Sequence, residues 1–221
     1  WGPDRLREFL PADMDVSRIR FSPDGRTVGF IWAAKDEKDA VWGIPVDGGG
    51  PRKLAAVEDA HVADYAWSPD GATLYMLAGP APDARRDTES KAGFNAEVYE
   101  EEWRANRLFA ATLGKQVDKK PRAIALSGQV TAIQLAPDGR TMILTAAPTP
   151  SVDDSYVRQR VAVLDLASGK VVRTIATQGK IADPELSPDG RTLALLAAVD
   201  QHDPSPTTLY LADIATGALR A

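Results

Sequence analysis

The sequence predicts an all-β fold of the β-propeller kind, and three observations carry that expectation. A Ser/Ala-Pro-Asp-Gly tetrad recurs four times, each copy lies between two strand-like apolar runs, and a third run ending in a polar or glycine-containing turn follows every copy. The tetrads are Ser22-Pro23-Asp24-Gly25, Ser68-Pro69-Asp70-Gly71, Ala136-Pro137-Asp138-Gly139 and Ser187-Pro188-Asp189-Gly190, with glycines 46, 68 and 51 positions apart. Each interval suits one four-stranded blade, and the long middle one implies an insertion.

The turn chemistry explains the tetrad. Proline presets φ near -65°, aspartate bonds its own backbone, and glycine takes the positive φ that follows. Before the turns, Ile19-Arg20-Phe21, Tyr65-Ala66-Trp67 and Ile133-Gln134-Leu135 alternate as half-buried strands do; the fourth copy keeps Leu186 but carries Pro184. After the turns, Val28 to Trp32, Leu74 to Leu77, Met142 to Leu144 and Leu193 to Leu196 are continuous apolar runs, the pattern of a strand buried on both faces. The third strands are read at Val41–Val46, Leu108–Leu113, Val161–Leu166 and Leu209–Ile214, and short fourth strands follow, as at Arg52 to Ala55 and Val171 to Ile175.

Four meander sheets that bury both faces stack radially, which removes strand edges that would otherwise pair with other chains. The blades are placed at about 14–57, 62–126, 129–177 and 181–221. The last copy stops at Leu219-Arg220-Ala221, early in its outer strand, so the expectation is a sector of a seven- or eight-bladed propeller, with the free edges of an isolated sector open to pairing as a homodimer. The insertion is placed at 80–106. Pro80-Ala81-Pro82-Asp83 and Arg85-Arg86-Asp87 read as loop, and Asn95 to Arg104 as a short helix with Asn95 as N-cap, Tyr99 and Trp103 four apart, and Glu100 in reach of Arg104.

Composition narrows the function. The chain has 26 Lys+Arg against 31 Asp+Glu, a net charge of -5, with basic residues scattered; this argues against a nucleic-acid partner. No apolar run approaches the roughly 20 residues that span a bilayer, so no membrane insertion is expected. The absence of cysteine excludes disulfides, thiolate zinc sites and a cysteine nucleophile. The chain opens at Trp1 with no Met and no apolar signal region, so its N-terminus is expected to be a product of processing or design; a bacterial periplasm is favoured over the cytoplasm.

The aromatic-led tetrad, as in Trp67-Ser68-Pro69-Asp70-Gly71 with Thr73-Leu74-Tyr75-Met76-Leu77 after it, resembles repeats of two groups: the N-terminal propeller of prolyl-oligopeptidase-family serine peptidases, dipeptidyl and acylaminoacyl peptidases included, and TolB-like periplasmic propellers. The lead-in Leu6-Arg7-Glu8-Phe9 through Arg18 to Ser22 and the irregular blade lengths favour the peptidases. That resemblance implies a propeller that gates and orients peptide substrates for a C-terminal α/β-hydrolase domain. The alternative is a non-enzymatic, TolB-like protein-binding propeller.

This chain carries no catalytic apparatus of that kind. None of its serines lies in Gly-x-Ser-x-Gly, and its two histidines, His61 beside Asp59 and His202 beside Asp203, read as loop residues. The candidate substrate-binding residues are Glu100, Glu101, Glu102 and Arg104. Val98-Tyr99-Glu100-Glu101-Glu102 is similar to the acidic motif with which dipeptidyl peptidases hold a peptide's terminal ammonium, and paired carboxylates can do so by charge-assisted hydrogen bonds. The competing reading is a solvated acidic helix face. Trp32, Trp42 and Trp67 are read as core, Asp47-Gly48-Gly49-Gly50 as a hairpin turn, and Asp153-Asp154 as an acidic loop without calcium-loop spacing; no cofactor or metal is expected.

Overall fold

Sixteen strands and two short helices make up the computed structural model, which describes residues 9–11, 13–35, 37–80, 84–94, 103–114, 116–118, 120–202 and 205–221. Sheet one contains β1 (Ser17–Phe21), β2 (Thr27–Trp32), β3 (Ala40–Pro45) and β4 (Arg52–Ala55). Sheet two contains β5 (Ala60–Trp67), β6 (Thr73–Pro80), β7 (Arg107–Thr112) and β8 (Arg122–Ile124), with α1 (Ala84–Lys91) between β6 and β7. Sheet three contains β9 (Gln129–Leu135), β10 (Thr141–Ala147), β11 (Arg160–Asp165) and β12 (Lys170–Thr174), with α2 (Val152–Val157) between β10 and β11. Sheet four contains β13 (Ile181–Leu186), β14 (Thr192–Ala198), β15 (Thr207–Asp213) and β16 (Leu219–Arg220). Every sheet is an antiparallel meander in chain order, as the repeat predicts.

The tetrads set one register four times. The residue before each tetrad pairs with the third residue after it: Phe21 with Val28, Trp67 with Leu74, Leu135 with Met142 and Leu186 with Leu193. The first strand of every sheet is also bulged a few residues upstream, and Pro184, which has no N–H to give a ladder, lies inside the bulge of β13.

Side-chain parity then stacks the sheets in sequence. Ile31 and Val41 of sheet one meet Tyr65 and Met76 of sheet two in one core, Leu77 and Leu108 meet Ile133 and Leu164 in the next, and Ile143 and Val163 meet Leu193 and Leu195 in the last. Each such fully buried aliphatic side chain contributes about 1.5–3 kcal/mol. Among the described residues no comparable core joins sheet four back to sheet one, and the stack is open. Ile19 and Phe21 of β1 are 63% and 65% exposed, and Leu209 of β15 is 56% exposed.

Two local expectations are corrected. The segment read as loop at Arg85 to Asp87 is helical: α1 is pinned by an Arg85–Glu89 pair at 2.8 Å and closed by a Schellman motif, in which Phe94 N donates to Glu89 O and Gly93, at φ 92°, donates to Ser90 O. Of the helix read at Asn95 to Arg104, only Trp103 and Arg104 are described, and both are non-helical; the rest lies outside the described residues. The acidic loop at Asp153-Asp154 is part of α2, capped by Ser151 Oγ, which accepts from Asp154 N.

Candidate functional site

Strand polarity divides the molecule into two faces. The tetrads and the turns between third and fourth strands lie at one end; the connections between second and third strands and the links between sheets lie at the other, the loop face.

On the tetrad face, three repeats build one network. Ser22 Oγ donates to Asp24 Oδ1 at 2.6 Å, Asp24 accepts from Arg26 N at 3.0 Å, and Thr27 N donates to Ser22 Oγ at 2.9 Å; Ser68/Asp70 and Ser187/Asp189 repeat it. In the third repeat Ala136 has no hydroxyl, and Asp138 instead accepts from Arg140 N, Thr141 N and Thr141 Oγ1 at 2.8–3.0 Å. The serine hydroxyls hold Asp24, Asp70 and Asp189 below the ordinary aspartate value; at Asp138 partial burial pushes the other way and the backbone donors outweigh it. The turns also nest. A Cβ on Gly139 would lie 3.0 Å from Pro69 Cδ, and one on Gly190 would lie 3.1 Å from Pro137 Cδ, whereas Gly71 stands 4.0 Å from Pro23 by the same measure. At that looser joint a cleft of about 470 Å³ opens between sheets one and two, lined by Asp24, Asp70, Arg52, Trp67 and Leu113 among others. Its two fixed anions and one guanidinium suit binding of a polar group.

The first strands lie where neighbouring sheets approach through polar side chains. Arg20 Nη1 donates to Asp64 Oδ1 at 2.7 Å and to the Tyr65 carbonyl, and its guanidinium lies 5.2 Å from the Tyr65 ring centroid. Gln134 does the same two joints further on: Nε2 donates to the Pro184 carbonyl and Oε1 accepts from Leu186 N at 2.9 Å. Both residues stand two positions before their tetrad and reach the carbonyl three positions before the next one. The sequence reading missed this role, although the fixed offset from the tetrad was the signal for it. Between these joints the residue at that offset is Ala66, which packs on the core. Tyr65 is fully buried, and its hydroxyl and Trp67 Nε1 have no hydrogen-bond partner among the described residues; burial pushes the Tyr65 phenol far up.

The acidic candidates Glu100, Glu101 and Glu102 lie outside the described residues; Arg104 is half-buried in the non-helical stretch before β7. Phe94 and Trp103, at the two sides of that segment, are exposed. His61 Nδ1 meets Asp39 rather than Asp59, which instead accepts from Lys38 Nζ at 2.9 Å, and His202 Nδ1 lies 3.3 Å from Asp200 Oδ1. Arg160 ties the face together: Nη1 donates to the carbonyls of Val157, Gln159 and Gly179 and Nη2 to that of Gln178, all at 2.7–3.2 Å. Among the described residues no three His, Asp or Glu side chains converge as a metal site requires. Trp32 and Trp42 are half-buried, their rings edge to face with centroids 5.0 Å apart.

No protein-family model and no curated protein matches the sequence. Solved structures do share the fold. TolB from Acinetobacter baumannii matches 96% of this chain and 44% of its own at 17% identity and a TM-score of 0.63. A puromycin-hydrolyzing peptidase of Mycobacterium tuberculosis matches 99% of this chain and 30% of its own at 15% identity and a TM-score of 0.64. The β-propeller domain of the Trilobed protease from Pyrococcus furiosus, described as having an open velcro topology, matches 96% and 57% at 13% identity and a TM-score of 0.57. The likeness is one of fold: the chain is a β-propeller stack that spans less than two thirds of the length of each of these proteins.

Proposed function

We propose that these four sheets are a sector of the propeller of a prolyl-oligopeptidase-type serine peptidase, gating peptides on their way to an α/β-hydrolase domain that carries the nucleophile. The supporting observation is the insertion: the longest connection in the repeat lies between β6 and β7, carries α1 and, in sequence, the Glu100-Glu101-Glu102 run, and has exposed Phe94 and Trp103 among its described residues. The likeness to a peptidase along 99% of this chain agrees with that reading. In it, the three glutamates bind the ammonium of a peptide N-terminus and Arg104 is their basic neighbour.

A second reading, a TolB-like propeller that docks another protein, draws equally on the match to Acinetobacter TolB over 96% of the chain. Fluorophosphonate labelling of the natural polypeptide that contains this sequence separates the two. A labelled chain larger by the order of 250 residues supports the peptidase; an unlabelled chain extended only by further sheets, or not extended, favours docking. Within the peptidase, Glu101→Gln raises KM for peptides with a free N-terminus and leaves N-acetylated ones unaffected.

A further inference from the structure

The first joint differs from the two that follow it on the tetrad face. Gly139 and Gly190 each nest against the proline of the preceding tetrad, but Gly71 stands clear of Pro23, and the space left there is the cleft of about 470 Å³. The residue just before the tetrad explains the gap. It is Trp67 at this joint, and Leu135 and Leu186 at the next two. The indole lies on Gly29, with Cζ2 3.2 Å from where a Cβ would be, and its bulk holds the two turns apart while forming one wall of the cleft. Buried Leu54 and half-buried Leu113 continue that apolar wall.

Three charged groups line the same cleft without neutralising one another. Asp24 and Asp70 each accept through Oδ1 from a serine hydroxyl and from a backbone N–H, and no other residue donates to Oδ2 of either among the described residues. The Arg52 guanidinium makes no hydrogen bond or ion pair among the described residues, so it does not close onto these carboxylates. Uncommitted carboxylate oxygens and an uncommitted guanidinium beside an apolar wall match a ligand that carries both charges on a short apolar frame. Arg26 offsets part of the charge of Asp24, whereas Asp70 has no such neighbour and is the stronger anion.

We propose that this cleft binds a small zwitterion, its ammonium at Asp70 and Asp24, its carboxylate at Arg52 and its apolar part on Trp67, Leu54 and Leu113. The proposal does not depend on the peptidase reading: the cleft lies on the tetrad face, whereas β6 and β7 are connected at the opposite end. Such a ligand has two sources, a free amino acid or a short unblocked peptide.

Isothermal titration calorimetry of the 221-residue chain with leucine and with leucyl-leucine tests this. At least one should bind one to one with a Kd under about 1 mM, and the tighter of the two identifies the source. Blocking both ends of that ligand, as its N-acetyl amide, should weaken binding by at least about tenfold. Asp70→Asn and Arg52→Gln should each weaken binding of the unblocked ligand by about tenfold. Asparagine keeps an oxygen that can accept from Ser68 Oγ and Ala72 N, so the turn survives, and a cooperative melt verifies it. The losses should sort by charge: the N-acetyl form should be insensitive to Asp70→Asn, and the amide form to Arg52→Gln. Glu101→Gln should leave binding unchanged. Saturable binding by neither ligand, a blocked form that binds as tightly, or indifference to both cleft substitutions overturns the proposal. Binding that is lost in Glu101→Gln and kept in Asp70→Asn also overturns it, and supports the peptidase reading instead.

Discussion

Pro69 and Gly139 touch across the boundary between sheets two and three: a Cβ on Gly139 would sit 3.0 Å from Pro69 Cδ. Each tetrad glycine has φ between 65° and 71°, so each serves its own turn, but only some also serve a neighbour. Gly25, at φ 69°, would present a Cβ to open space. Gly25→Ala is therefore expected to cost about 1–2 kcal/mol, the left-handed penalty alone. Gly139→Ala adds an overpacking cost of about 1–3 kcal/mol. Urea unfolding of the two variants measures the difference, and equal losses would show that nesting contributes nothing.

Gly29 leaves room for Tyr65, whose hydroxyl oxygen lies 2.7 Å from where a Cβ would be. Gly29→Ala should destabilise by about 1–3 kcal/mol. Tyr65→Phe should be neutral or slightly stabilising, because it removes a buried hydroxyl without a partner. The double variant should recover most of the loss, and a double-mutant cycle with no coupling would refute the contact.

The third repeat shows what a tetrad does without its serine. Asp138 takes its donors from the Thr141 backbone and hydroxyl, so in Ser68→Ala the Asp70 carboxylate should turn in the same way toward Thr73, for a loss under about 1 kcal/mol. Asp70→Ala removes the acceptor itself and should cost more than Ser68→Ala. Thermal melts rank the two; a serine variant as damaging as the aspartate one would contradict the third repeat.

Acid should loosen all four turns together. Asp24, Asp70, Asp138 and Asp189 have folded pKa values below the ordinary 3.8, so their contribution is fully present above that value and is lost as pH falls through the folded values. The melting temperature should respond to these residues only below about pH 4, and Asp→Asn at all four should flatten that acid limb. A wild-type acid limb in the fourfold variant would assign acid sensitivity elsewhere.

Arg160 and Gln134 close joints through main-chain carbonyls. Arg160→Met leaves the carbonyls of Val157, Gln159, Gln178 and Gly179 without that donor and should cost about 2–3 kcal/mol. Gln134→Leu should cost about 1–2 kcal/mol and speed amide hydrogen exchange in β13 more than in β1. Uniform exchange across both strands would mean that Gln134 is no clamp.

The fold was legible because its signals are local. Proline, aspartate and glycine in a row dictate a turn whatever surrounds them, and the runs on either side declare how many faces they bury. The candidate site was harder to read. The helix of the insertion escaped notice because Pro80 to Asp83 reads as loop, while the features that sustain α1, an i,i+4 ion pair and a glycine at φ 92°, are spread over Arg85 to Gly93. Arg20, Gln134 and Arg160 look like ordinary strand residues until the distant residues they bond, 18 to 52 positions away, are brought beside them.

The sequence by itself determined four antiparallel four-stranded sheets, the turns at the tetrads that join their first two strands and the long insertion in the second repeat, since each depends on contacts within a turn or between adjacent strands. Only the tertiary structure decided how the sheets meet: which glycine receives which proline, that Tyr65 needs Gly29, and that Ile19 and Phe21 end up exposed. Those outcomes depend on close approach between residues far apart in the chain, and a spacing of about 3 Å between two side chains leaves no mark on the pattern of either strand alone.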